Sequence, residues 1–526
     1  MKKIFTWKKY HRWFGLVLSV FMLVFCVSGI ILNHRPLFRS CEVSRGWMPQ
    51  SYHIQNFNNG IIKGSTTVDN KVIAFGGAGV WLTDPQGKEW TDFNAGLPKG
   101  ADNRNIRNIV RTKDGTLWMA AQYDVYLHNG KQWQRVELLG NKERISDITL
   151  TSDSSQVVVL SRSKIYAIKP SSSRQSTGTA SVQVKELKLK TPNGYKPETT
   201  LFKTIWRLHS GEFFGLPGQL VVDAIAVVLI ILSITGIILF LLPYGIRSQK
   251  RKGATEMMKK MGKQMVWNQK WHNKIGYATI ILTLWLSVSG MCLRPPLMIP
   301  LVLTKTSQSV ADGNVWHDKL RAIRWDADAK SWLISTSEGF LKVDKQFQQA
   351  PVFFDKSKTP SISPMGITVF EKIDTEWLIG SFSGLYRWNP QTDKVVDYFT
   401  GKPEEKNSMR PISNALVSGY TKDLLHGRSI IFDYAKGAQV LTRNTAAAPL
   451  PMPGALGESK MSLWNMALEL HVGRCYSPFL GPLSDLFVVI SGLLISLVLL
   501  SGFIILRRQK RRKKLAKKQK KSESQE

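Results

Sequence analysis

Apolar residues gather in four stretches and thin out between them. Residues 13–33, 219–243, 274–293 and 484–506 each hold about 20 or more residues with at most one charged side chain, the length a helix needs to cross the hydrocarbon core of a bilayer. The first stretch is too long for the apolar region of a secretory signal, and no small-x-small cleavage site follows it. LVFC at 23–26 lacks the small residue that a lipobox places before its cysteine. Four transmembrane helices are therefore predicted, the first as an anchor.

Between the spans the period changes from helical to twofold. Residues 34–205 and 295–465 are polar, turn-rich and alternating, with strand-like runs beginning at Val72, Gly115 and Val157 and again at Trp332, Trp377 and Ser429. In the first segment these runs recur at a spacing close to one four-stranded propeller blade, about 40–45 residues, and the second segment repeats the pattern. The pieces resemble the propeller repeats of sensory two-component regulators. Three blades leave open edges and little core, whereas six could close a ring. The expectation is one six-bladed, propeller-like domain built from both segments, with two separate β domains as the alternative.

The chain is also a duplication. At an offset of 261, His11 meets His272, Gly15 meets Gly276, and Ser28-Gly29 meets Ser289-Gly290. At an offset of 262, the Leu-His-x-Gly motif at Leu208 meets the one at Leu470, so His209 meets His471, Gly211 meets Gly473 and Asp223 meets Asp485. The repeating unit is an apolar helix, a long polar segment, Leu-His-x-Gly and a second apolar helix. The predicted organisation is 1–33 (stub and first span), 34–205 (first β-rich segment), 206–246 (His motif and second span), 247–271 (basic loop), 272–294 (third span), 295–465 (second β-rich segment), 466–506 (His motif and fourth span) and 507–526 (basic tail).

Charge orients this arrangement. The formal net charge is +34, which by itself could suggest nucleic acid. Its distribution excludes that: eleven Lys or Arg lie in 507–521, eight in 247–270 and five in the first twelve residues, all flanking apolar runs. Basic clusters beside spans mark the cytosolic side and touch anionic lipid. Both termini and the 247–271 loop are therefore expected in the cytosol, and both β-rich segments outside the cytoplasmic membrane, in the periplasm. GGAG at 76–79 lacks the spacing of a dinucleotide fingerprint, and there is no CxxC, HExxH or Walker loop. Cys26 and Cys292 lie within apolar runs; Cys41 and Cys475 lie just outside the membrane, where a disulfide between them or two free thiols are both open.

Four of the nine histidines occupy repeated positions beside spans. His11 and His272 open spans one and three on the cytosolic side; His209 and His471 precede spans two and four on the outer side. A lone histidine at an interface reads as an amphipathic anchor. Recurrence with its neighbours favours ligation, and two imidazoles from facing helices at one depth are what haem b takes. Two haems b are predicted, His11 with His272 inside and His209 with His471 outside, with His34 as a reserve ligand for the outer one. Gly29, Gly290, Gly236 and Gly502, each preceded by Ser or Thr, are expected where a flat porphyrin presses on backbone. Arg12, Arg207 and Arg474 are expected to neutralise propionates. His53, His128, His317 and His426 are expected at the surface of the β segments.

The opening KKYHRWFGLVLSVFMLVFCVSGIIL, the LHxG approach to span two and the WHNKIG…SG helix resemble the PepSY-associated transmembrane proteins, often described as iron-regulated membrane proteins. The resemblance covers the spans and their flanks, and no PepSY domain accompanies it. It implies a diheme ferric-siderophore reductase of the bacterial inner membrane, passing electrons to ferric iron or a ferric chelate. No flavin or nicotinamide motif is visible, so a quinol or a partner protein is the expected donor. The rival readings are a propeller-bearing sensor, for which no kinase or receiver segment follows, and a transporter component, for which no acidic residue lies at mid-depth.

Overall fold

The structure is a computed structural model that describes residues 2–140, 143–169, 182–307, 314–363, 366–404, 406, 415–442 and 446–522. It separates into two compact units: one of 1–38, 198–308 and 463–526, the other of 39–197 and 309–462.

The first unit is helical. Its elements are α1 (Lys2–Asn33), α2 (Leu201–Ser210), α3 (Gly215–Arg251), α4 (Thr255–Ala278), α5 (Ile280–Met291), α6 (Leu463–His471) and α7 (Ser484–Ser522). The helices outrun the apolar stretches because the basic flanks carry good helix formers and no glycine cap where the apolar run ends. The 247–271 segment, expected as a loop, is mostly helix: α3 runs on through Pro243 to Arg251 and α4 begins four residues later. Among the described residues, three helices are long and apolar enough to cross a membrane. A fourth span exists only if α4 and α5 count as one, and these are bent by 67° at Thr279. The Thr279 and Thr283 hydroxyls bond the carbonyls of Ile275 and Thr279, four residues back, at 2.9 and 3.1 Å, and such back-bonding bends helices. The expected third span, 274–293, therefore falls across this bend. In the core of the unit, Cys26 of α1 packs with Ile225, Ala226 and Leu229 of α3. Helix α1 touches α3, α6 and α7, and α5 lies along α7.

Among its described residues the second unit holds six four-stranded antiparallel sheets, each a meander of consecutive strands. They lie at 64–92, 106–136, 145–187, 320–353, 369–397 and 417–447, three in each polar segment. Trp118, Trp133, Trp332, Trp377 and Trp388 are fully buried among them, the period-two apolar positions of the sequence turned inward. Each sheet bonds the next. Asn108 Nδ2 donates to Ile148 O (2.9 Å), Ile323 N to Asp147 Oδ2 (3.0 Å), Arg324 Nε to Phe370 O (3.0 Å) and Thr368 Oγ1 to Val417 O (2.7 Å). Lys63 Nζ reaches Ile106 O at 3.4 Å. The sixth sheet bonds the first, Tyr420 N donating to Lys63 O at 3.0 Å. Both polar segments therefore build one unit. Its edges differ slightly from those expected: residues 198–200 and 305–307 leave the β-rich segments and pair with each other in the helical unit.

Candidate functional site

The Leu-His-x-Gly motif is a helix ending. His209 and His471 lie in the last turns of α2 and α6, and Gly211 and Gly473 follow at φ +79° and +80°. A left-handed residue closes a helix, and glycine adopts it without a Cβ penalty. At Gly211 a Cβ would also come within 2.2 Å of Gly218 O. The motif thus stops the helix at the histidine or one residue after it and fixes the level of the ring.

The four repeated histidines come together in two pairs. The His11 and His272 ring centroids are 6.4 Å apart at an interplanar angle of 73°; those of His209 and His471 are 6.4 Å apart at 58°. A ligating imidazole nitrogen sits about 2 Å from its metal and the ring centroid about 1.1 Å behind it, so two trans imidazoles place centroids about 6.3 Å apart. Both pairs meet that spacing. Among the described residues, no group of three or more His, Cys, Asp or Glu could cage a bare metal ion. Each pair offers two imidazoles, the number a bis-histidine porphyrin would take.

The outward nitrogens are fixed the same way four times. Nδ1 of His11, His471, His209 and His272 lies 2.9 Å from the hydroxyls of Ser501, Ser28, Ser289 and Thr235 respectively. Each hydroxyl donates its own proton to a carbonyl of its helix: Ser501 to Val498, Ser28 to Val24, Ser289 to Trp285 and Thr235 to Ile231, at 2.6–2.8 Å. Its lone pairs are left to accept, so Nδ1 carries the hydrogen. The carbonyls of Val498 and Phe25, each 3.1 Å from the Nδ1 of His11 and His471, require the same tautomer. Nε2 is then the free lone pair, and among the described residues no hydrogen bond engages it. This is the orientation by a neighbouring group that metal-bound histidines show.

The glycine after each hydroxyl seats the ring. A Cβ would stand 3.0 Å from His209 Cε1 at Gly290, 3.1 Å from His11 Cε1 at Gly502, 3.4 Å from His471 Cε1 at Gly29 and 3.7 Å from His272 Cε1 at Gly236. What presses on each of these glycines is an imidazole ring. The Ser/Thr-Gly repeat also carries the hydroxyls that accept from each Nδ1, a signal the sequence holds beside the glycines. Thr235 and Ser501 are twelve and sixteen residues after their repeated aspartates, and a difference of about one helical turn keeps the hydroxyl on the same face.

His34 does not join the outer pair. Its Nε2 bonds Asp223 Oδ2 at 2.5 Å, while Asn33 Nδ2 bonds Asp223 Oδ1 at 3.2 Å and Ser210 O at 3.1 Å. In the second repeat the equivalent Asp485 meets Arg294 at 3.3 Å. These pairs staple the ends of the helices. Of the arginines, Arg474 is paired with Glu469 at 2.5 Å, and Arg12 and Arg207 lie over Phe240 and Phe213 at 5.5 and 5.4 Å. All four cysteines are free, with Cys475 buried and Cys41 exposed, so the disulfide alternative is not realised. In the β unit His53 bonds Met48 O, His317 is half exposed, His426 is exposed, and His128 packs between Phe93 and Trp133 rather than standing in solvent.

Residues 3–242 match the family model described as the PepSY-associated TM region. No curated protein matches the sequence. Among solved structures the chain is similar to two extracellular domains from B. thetaiotaomicron. One, of a protein described as a one component system, is 10% identical with a TM-score of 0.32, over 76% of this chain and 42% of that one. The other, of a hybrid two component system, is 9% identical with a TM-score of 0.31, over 74% and 40%. The chain spans about two fifths of the length of those structures, and a likeness so distant carries no weight here.

Proposed function

For a chain that belongs to the PepSY-associated transmembrane family, we propose two b-type haems held by His11 with His272 and by His209 with His471, and electron transfer across the membrane to a periplasmic acceptor. The single observation that carries this reading is the double pair of histidines, each 6.4 Å between centroids with Nδ1 tied back and Nε2 left free.

The haems, when bound, supply one-electron storage between ferric and ferrous iron. The chain supplies the rest. The hydroxyls of Ser28, Thr235, Ser289 and Ser501 hold the tautomer and the ring plane through both redox states. With two protein ligands per iron, no coordination position is left for oxygen, so the sites relay electrons rather than bind gas. His11 and Ser28, which serve different sites, are seventeen residues apart on α1, a rise of about 25 Å. The sites therefore lie near opposite faces of the bilayer. Arg12 and Arg207 are placed to meet propionates; Arg474 keeps its carboxylate partner.

In this reading α4 and α5 together make the fourth span, both termini are cytosolic, and the six linked sheets form one six-bladed, propeller-like domain in the periplasm of a bacterium with an inner membrane. The donor is a quinol or a partner protein, and the acceptor ferric iron or a ferric chelate such as a siderophore. A reduced-minus-oxidised absorption spectrum of the purified protein, with pyridine haemochrome quantification, tests it. Two b-type haems per chain with a bis-imidazole spectrum are expected. A stable, haem-free protein from iron- and haem-replete cells overturns it.

A further inference from the structure

The β unit gathers arginines at one end of its first strands. Arg107 is the extra residue of a bulge between Ile106 and Asn108 in the second sheet, and Arg321 holds the same place between Leu320 and Ala322 in the fourth. The third sheet brings Arg144 and Arg162 between them. Arg162 N donates to Arg144 O at 3.1 Å, and Arg162 O accepts from Leu320 N at 2.9 Å. On the other side Ile145 N donates to Gln122 O at 2.8 Å, and Arg107 Nη2 to Gln122 Oε1 at 3.1 Å. Four guanidinium groups thus follow one another around an arc of three neighbouring sheets.

Asp318 is the carboxylate that acts on Arg162 and Arg321, against the like charges of their neighbours. Burial, then the like charges of Arg321 and Arg144, pull Arg162 down to about 8, with Asp318 opposing. A guanidinium keeps its proton at neutral pH, so the positive charges are held together at a cost to the fold. Arg321 Nε and Gln122 Nε2 are buried without a hydrogen-bond partner among the described residues, and such donors in native proteins call for an explanation. Arg324, three residues after Arg321 in the same strand, shows the ordinary alternative: it is matched by Asp147 at 2.5 Å.

We propose that the arc of Arg107, Arg144, Arg162 and Arg321, with Gln122, binds an anion presenting carboxylate or phosphate oxygens. Planar guanidinium forks recognise both groups in pairs of parallel hydrogen bonds. Polycarboxylates are members of that class that also chelate ferric iron, which would connect the site to the acceptor. The binding itself stands apart from the haem sites, since no haem-ligating histidine lies in this unit.

Isothermal titration of the full-length protein in detergent, with citrate and separately with inorganic phosphate, tests it. At least one anion should bind the wild type, and Arg162→Gln and Arg321→Gln should bind it about tenfold or more weakly. Without anion, Arg162→Gln should melt no lower than the wild type, because a buried charge repelled by Arg321 and Arg144 has been removed. Citrate without phosphate identifies an array for several carboxylates; equal binding of both identifies a simple oxyanion site. Arg162→Lys keeps the charge and guards against a folding defect, and should bind between the two. No heat with either anion, or equal binding by wild type, Arg162→Gln and Arg162→Lys, overturns the site. The readout is heat rather than reduction, so a protein that proved haem-free would still answer the question.

Discussion

Single side chains set both proposed haem sites, and their distances rank the substitutions. At Gly290 an added methyl group meets His209 Cε1 at 3.0 Å, closer than an ordinary contact; at Gly236 the distance to His272 Cε1 is 3.7 Å, which a methyl group fills. Gly290→Ala should weaken the outer haem about tenfold, in the range typical of groups that support a metal ligand, while Gly236→Ala keeps both haems. Haem-to-protein ratios decide this, and equal loss in the two variants would count against ring seating. His272→Ala and His471→Ala should each remove one haem and leave the other, because the pairs share no ligand. His34→Ala should keep both, since its Nε2 is taken by Asp223. Loss of a haem in His34→Ala with full occupancy in His471→Ala would reverse the outer assignment.

Between sheets the clearest clamp is Asp326. It ends the first strand of the fourth sheet with its side chain fully buried, and Lys372 of the fifth sheet bonds it at 2.7 Å. Trp377 Nε1 and Gln391 Nε2 also reach it, at 3.4 Å. Burial pushes this carboxyl up, but the Lys372 bond and charge outweigh it, and the net displacement is downward. A lowered carboxyl contributes stability above its unfolded pKa of about 3.9 and loses it as pH falls through the folded value. Lys372→Met leaves a buried, unmatched carboxylate. It should cost about 2–3 kcal/mol at neutral pH, at the low end for a broken buried pair because Lys372 is itself 26% exposed. The loss of stability on acidification below about pH 4 should also become shallower. Denaturant unfolding followed by tryptophan fluorescence measures both; an unchanged midpoint would show that the sheets do not depend on this pair.

At the scale of the whole chain the proposed topology is directly testable. In a background without cysteine, probes at the exposed Lys131 and Thr392 should react with a membrane-impermeant maleimide in spheroplasts. A probe at Arg512 in the basic end of α7 should react only after the membrane is opened. Labelling of Lys131→Cys or Thr392→Cys only after lysis would invert the topology. The same experiment bears on the 67° bend at Thr279: with α4 and α5 as one span, both β-rich segments share a side, and with α5 short of crossing they cannot.

The sequence alone determined what repeats and what is periodic. Constant offsets named the four histidines, the Leu-His-x-Gly endings and the Ser/Thr-Gly pairs, because duplication preserves spacing wherever a helix must present the same groups at the same level. Period two and recurring turns marked three strand groups in each polar segment, because alternating burial is written locally. Only tertiary structure decided what meets what. That His471 rests against Ser28, four hundred and more residues earlier in the chain, depends on α6 lying along α1, and no local pattern encodes that. The same holds for His34, whose depth along the chain suited a ligand until Asp223 took its nitrogen. The helix over 255–278 was hidden because charge, which locates the cytosolic side, says nothing about whether the backbone there is helical. The arginine arc was invisible for a related reason. Arg107, Arg144, Arg162 and Arg321 are scattered over more than two hundred residues, and only hydrogen bonding from sheet to sheet gathers them.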